Sequence, residues 1–138
     1  MRDGIDVINC YSKGKTELGR LLTNFAHTPF ILGDVSFESV EGWWYWRNVK
    51  AVEFLKLYGF AAKKLGKELM AGGLPPTREE LKAVYMAKLE GNPKLKAMLL
   101  ESVLPFDHYY DYDGKIQQTK WRWTGQLWNE IRDELKTM

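Results

Sequence analysis

Apolar residues come in short runs broken by turn formers up to Phe37, and from Ser39 onward they recur at helical spacing. The segment Ile5 to Tyr11 (IDVINCY) is rich in β-formers and predicts a first strand. Beyond a polar stretch, Phe30-Ile31-Leu32 and Val35-Ser36-Phe37 flank the turn pair Gly33-Asp34, which predicts a short hairpin. Ser39 is placed to cap a helix running to about Leu57, with Gly59 as the break after it. A second helix over 59–70 (GFAAKKLGKELM) puts Ala61, Ala62, Leu65 and Leu69 on one stripe, and the glycines and prolines of AGGLPP at 71–76 end it. Thr77 and Glu80 have capping-box spacing and open a helix with Leu81, Val84, Tyr85 and Leu89 inward, closed by Gly91. Asn92 and Pro93 suit the N-cap and N1 positions of a further helix, with Leu95, Met98, Leu99 and Val103 inward and its end near Pro105. Residues 106–123 (FDHYYDYDGKIQQTKWRW) have no helical period, are dense in Tyr, Asp and Trp, and read as an ordered functional loop. The last helix, Thr124 to Lys136, turns Leu127, Trp128, Ile131 and Leu135 toward the core. Without repeats, linkers or low-complexity tracts, the pattern describes one α+β domain over 1–138, helix-rich, with a small antiparallel hairpin or sheet near the N-terminus.

Composition adds limits to this picture. The chain has 138 residues, 45% of them hydrophobic, enough for one domain with a sizeable core. The longest uncharged stretch, Leu21 to Gly33, is too short to span a bilayer, and the opening MRDGIDVINCYSKGK lacks the apolar centre of a signal peptide. A soluble, cytoplasmic protein with no membrane partner is expected. Cys10 is the single cysteine, which excludes an intrachain disulfide, and with only His27 and His108 beside it neither a zinc site nor any other metal or cofactor is expected. A net charge of +2 permits an anionic partner without requiring one.

One carboxylate breaks the helical pattern. On a wheel of Ser39 to Leu57, Val40, Trp44, Tyr45, Val49, Ala51, Val52 and Leu55 share an apolar arc, opposite Arg47, Lys50, Glu53 and Lys56. Glu41 falls near the middle of that arc, with Asn48 beside it. Burial there would raise its pKa toward the range a general base needs. The plainer reading is a carboxylate in the first helical turn that meets the N-terminal dipole and reaches solvent. Trp43 and Trp46 project toward the charged side, where they are either covered by another segment or form a stacking wall for a base or sugar.

Several chemistries are excluded. Gly14-Lys15-Thr16 looks like the end of a phosphate-binding loop, but Asn9 stands where the upstream glycine is required. No GxGxxG follows a strand, no GxSxG elbow exists, and Cys10 has no histidine partner in sequence. Carboxylates (Glu41, Asp107, Asp111, Asp113), amides (Asn9, Asn24, Asn48) and many aromatic rings are left. That set suits recognition of a ribose or base and carboxylate-assisted cleavage of a glycosidic bond, and it also suits a structural surface.

The order of the segments INCYS, LTNFAHTPFILGD, SFESVEGWW, AAKKLGK, MAKLEGNPKLKAMLLES and WTGQLWNEIRDEL resembles the NADAR family, the NAD- and ADP-ribose-associated domain with the YbiA-like fold, over about residues 7 to 135. The resemblance implies an N-glycosidase, acting on ADP-ribosylated guanine in DNA or on a phosphorylated riboflavin-pathway intermediate. Asn24-Phe25 matches the family's S-N-F turn, with Thr23 for the serine. Glu41 matches the glutamate of its S-x-E-H-x-[FY]-Q-x-x-K helix, Asp111 or Asp113 the acidic residue of its late loop, and Gly125 and Leu127 the start of its last helix. Within the glutamate motif the family histidine is Gly42, the glutamine is Tyr45 and the lysine is Asn48, and the late N-R-L-G reads Arg122-Trp123-Thr124-Gly125.

On this resemblance Glu41 would be the catalytic carboxylate and Asp113 would orient the sugar or the leaving base. Asn24 and Asn48 would bind ribose hydroxyls, Trp43 or Trp44 would stack on a ring, and Phe25 and Asp111 would be among the substrate-binding residues. Arg47, Lys120 or Arg122 would hold a pyrophosphate, with Lys50 or Arg122 as substitutes for the missing lysine. The expected partner is an ADP-ribosylated nucleobase or DNA. A small riboflavin-pathway substrate, or a silent domain that binds ADP-ribose or nucleic acid, are the competing readings.

Overall fold

A computed structural model describes residues 1–138, with six α-helices and three two-stranded sheets. The α+β class expected from the sequence is what forms. No helix is long and apolar enough to cross a membrane. Packing divides the chain into a terminal unit, Met1–Thr23 with Lys94–Met138, and a central unit, Asn24–Pro93.

The terminal unit opens with β1 (Ile8–Asn9), far shorter than the run Ile5 to Tyr11. Gly4 sits at φ 84° and the amides of Ile5 and Asp6 both turn back to the Arg2 carbonyl, so Ile5 is spent in a turn and stays exposed. The Gly14-Lys15-Thr16 run leads into α1 (Glu17–Leu22), which Thr16 caps by accepting from the Gly19 amide at 2.9 Å. Gly19 is required here, because a Cβ would lie 2.3 Å from the Asn9 carbonyl oxygen. The first residue of α5 (Pro93–Glu101) is the expected Pro93, and Leu95 and Leu99 are buried. Val103 is a correction: the helix stops at Glu101 and leaves Val103 81% exposed.

Residues 106–123 also correct the sequence reading, since most of them are strand rather than loop. β4 (Phe106–Asp107) pairs in parallel with β1, and β5 (Tyr109–Tyr112) forms an antiparallel hairpin with β6 (Lys115–Gln118). Asp113 at φ 52° and Gly114 at φ 90° make the turn, the Asp-Gly pair favoured where both central residues need positive φ. The final helix, α6 (Arg122–Thr137), buries Leu127, Trp128 and Ile131. Asn129 brackets β4, accepting from the Phe106 amide at 2.8 Å and donating to its carbonyl at 3.1 Å.

The central unit begins with the predicted hairpin, β2 (Phe30–Leu32) and β3 (Val35–Phe37), in register Phe30 to Phe37 around Gly33. Helix α2 (Val40–Trp46) starts at Ser39 as expected but ends eleven residues before Leu57. The chain then turns through Asn48 and Val49 into a 3-10 helix, Val52–Lys56, which packs back on α2. Gly42 makes this approach possible: a Cβ there would lie 2.4 Å from the Phe54 carbonyl oxygen. An unbroken helix to Leu57 could not return Phe54 to its own first turn, and Phe54 is wholly buried. The wheel therefore fails past Arg47.

Helix α3 (Gly59–Glu68) lies against α2 with Ala62 and Gly66 buried, so its inward face is rotated from the predicted stripe and Ala61 and Leu69 are exposed. Helix α4 (Arg78–Glu90) has the full capping box of Thr77 and Glu80 and buries Leu81, Val84, Tyr85 and Leu89, as the pattern predicts.

Candidate active site

Glu41 lies in the first turn of α2, in a helix whose N-terminus is fixed by Ser39. The Ser39 hydroxyl accepts from the Gly42 amide at 3.0 Å and donates to the Leu57 carbonyl at 2.8 Å, which ties the start of α2 to the end of the 3-10 segment. The Glu41 amide donates to the Asn24 carbonyl at 2.9 Å, so the Asn24-Phe25 turn is held directly beside it.

The residue is half-buried, and protein surrounds its carboxyl closely enough that lost hydration dominates its titration. Burial pushes its pKa up to about 7; a hydrogen bond from Tyr45 and the charge of Lys63 oppose the rise without cancelling it. Near neutral pH the carboxyl is therefore shared between its two protonation states, the condition for giving or taking a proton in a reaction. Glu41 does stand in the first helical turn, as the plainer reading has it, but burial rather than open solvent dominates its surroundings.

Around Glu41 the central unit assembles groups from three helices and a turn. Tyr45 stands one turn further along α2, and Lys63 projects from α3 with its ammonium 5.9 Å from the centre of the Phe25 ring. Phe25 meets Phe60 edge to face at 5.1 Å, and Phe60 is 67% exposed. The Asn24 Oδ1 accepts from the Tyr85 hydroxyl of α4 at 2.8 Å. Tyr45 and Lys63 were not singled out by sequence; the i, i+4 spacing from Glu41 to Tyr45 was the available signal, and nothing marked Lys63.

The other central candidates have other surroundings. Trp43 is buried, and Trp46 packs edge-on against Phe37 at 5.3 Å beneath Lys50, so both are covered rather than free for stacking. Trp44 is half-buried. Arg47 lies over Trp43 and Trp44 and donates to the Leu74 carbonyl. Asn48 donates to the carbonyls of Ala71 at 3.0 Å and Gly72 at 2.9 Å, which engages its amide nitrogen in holding the 71–73 loop. An open groove of about 690 Å³, lined by residues that include Phe30, Ile31, Phe37, Glu38 and Leu55, does not include Glu41.

The remaining candidates belong to the terminal unit. Asp111 accepts from the Gly114 amide at 2.8 Å and so stabilises the hairpin turn, where Asp113 is exposed in a left-handed conformation. Lys120 sits over the Trp121 ring at 5.0 Å. Arg122 grips Asp107 through two hydrogen bonds, 2.9 and 3.1 Å, which holds its guanidinium pKa up. No group of three or more His, Cys, Asp or Glu residues is arranged to hold a metal ion.

Three positions that follow Glu41 are each matched by a close neighbour. Gly42 admits Phe54, Asn48 ties the 71–73 loop beside Gly73, and the Tyr45 ring lies on Gly66. The chain matches no protein-family model, no curated protein and no solved structure.

Proposed function

We propose that this chain is an N-glycosidase that hydrolyses an ADP-ribosyl adduct of a nucleobase, with guanine in DNA as the substrate and the cytoplasm as its place of action. Glu41 carries the reading: the carboxyl of a half-buried residue, held by burial at a pKa of about 7, at the position of the glutamate in the resembled motif. In its ionised form Glu41 takes a proton from water as the oxygen attacks the anomeric carbon. The bond from that carbon to the base nitrogen breaks, the electron pair leaves with the base, and the base takes up a proton from solvent, to which Glu41 afterwards returns its own. The positive charge that develops on the sugar is stabilised by the adjacent carboxylate. Asn24, whose Oδ1 is engaged by Tyr85, offers its amide nitrogen to a ribose hydroxyl, and Phe25 offers an aromatic face or edge.

The test is Glu41→Gln against wild type on an ADP-ribosylated oligonucleotide, following released ADP-ribose. A fall in kcat of about 10²-fold or more is expected for loss of a general base, and unchanged turnover would rule the assignment out. A second reading, a binding module without turnover, is favoured by Asn48, which fills the position of the family lysine and is engaged with two backbone carbonyls. Calorimetry that finds ADP-ribose binding while no adduct is cleaved would select it. A free phosphoribosyl riboflavin-pathway compound, tested beside the oligonucleotide, separates the two enzymatic substrates.

A further inference from the structure

We infer that Tyr45 is a positioning residue for Glu41, held in place by Gly66 of the facing helix; the inference rests on the reading of Glu41 as the reacting carboxyl. Gly66 lies inside a ten-residue helix, where glycine costs about 1 kcal/mol relative to alanine. Its φ is ordinary for a helix, so backbone freedom does not explain it. The Tyr45 ring does: a Cβ on Gly66 would lie 2.6 Å from Cε1 and 2.7 Å from Cδ1 and Cζ, contacts that real Cβ atoms do not make. The ring thus rests on bare backbone.

The ring has further support in the buried Phe54, whose centroid is 5.7 Å away. With Gly66 and Phe54 both against it, the phenol has little room to swing, and its hydroxyl is delivered to Glu41 one turn back along α2. Lys63 and Gly66, three residues apart on α3, present a charge and a gap to the same pair. Burial and the nearby carboxylate push the Tyr45 phenol up, so it keeps its proton and can donate to the ionised carboxyl. A fixed donor selects one rotamer of the carboxyl and favours its ionised form, the form that accepts a proton from water.

Tyr45→Phe tests this, because it keeps the ring on Gly66 and removes the hydroxyl alone. Two readouts are taken: titration of the Glu41 side-chain carboxyl by carbon NMR in the whole chain, and kcat and KM on the adduct. The expected result is a Glu41 pKa above the wild-type value, a fall in kcat of about tenfold, the equivalent of one hydrogen bond to a charged group, and KM within about twofold. Gly66→Ala is expected to move the same titration by displacing the ring, and to add little when combined with Tyr45→Phe, since both act through one contact. A Glu41 titration and kcat unchanged in Tyr45→Phe overturn the inference, even if Gly66→Ala fails to fold. If wild-type protein cleaves no adduct, the glycosidase reading fails, while the NMR titration still decides whether Tyr45 holds Glu41.

Discussion

Glu41 is destabilising in its ionised form, and this has a measurable consequence for stability. Its folded pKa of about 7 lies above the ordinary value of 4.5, so between these the folded chain binds more proton than the unfolded one. Below pH 4.5 both states are protonated and nothing is lost. As the pH rises from 4.5 to 7 the fold weakens, and above 7 the full cost, up to about 3 kcal/mol, is present. Glu41→Gln, which mimics the protonated carboxyl, should therefore leave the urea midpoint near wild type at pH 4.5 and raise it at pH 8. A midpoint that responds equally at both pH values would show that Glu41 does not titrate as its surroundings require. The same substitution is expected to remove turnover, so stability and activity would move in opposite directions.

At the level of elements, the legible parts were those whose signal is local. The Gly33-Asp34 hairpin, the Thr77–Glu80 capping box and the inward face of α4 needed only neighbouring residues. The end of α2 depends on contacts far along the chain. Asn48 is drawn to the carbonyls of Ala71 and Gly72, and Phe54 must come back onto Gly42, neither of which a helical wheel contains. Glu41 survived that error because its placement needs only the first turn, which Ser39 fixes. Tyr45 was visible as a residue but not as a partner, since its role depends on the missing Cβ of Gly66 in another helix. The Asp113-Gly114 turn is a local signal of the same kind as the Gly33-Asp34 hairpin, an Asp-Gly pair between two β-forming runs. Gly42→Ala tests the packing that ends α2. Its Cβ would meet a backbone oxygen, which cannot rotate away, so a loss of about 1–3 kcal/mol is expected, the usual range for overpacking. Urea unfolding measures it, and a wild-type midpoint would mean that the 3-10 segment yields without cost.

For the molecule as a whole, the charge distribution limits how a polyanionic substrate can be held. The net charge is only +2, and Arg122 is paired with Asp107 and Arg2 with Asp6. With 18 carboxylates beside 20 lysines and arginines, little net attraction is left for the phosphates of an oligonucleotide, and recognition would rest on the sugar and base near Glu41. Each phosphate contact on a single strand contributes a slope of about 0.7 in log affinity against log salt. Two or three contacts imply that raising salt from about 50 to 200 mM lowers kcat/KM by about tenfold, and a strongly basic binder would lose 10³-fold or more. Measuring kcat/KM on the modified oligonucleotide at the two salt concentrations distinguishes these cases. A loss near 10³-fold would require about seven phosphate contacts and would move the centre of recognition away from Glu41.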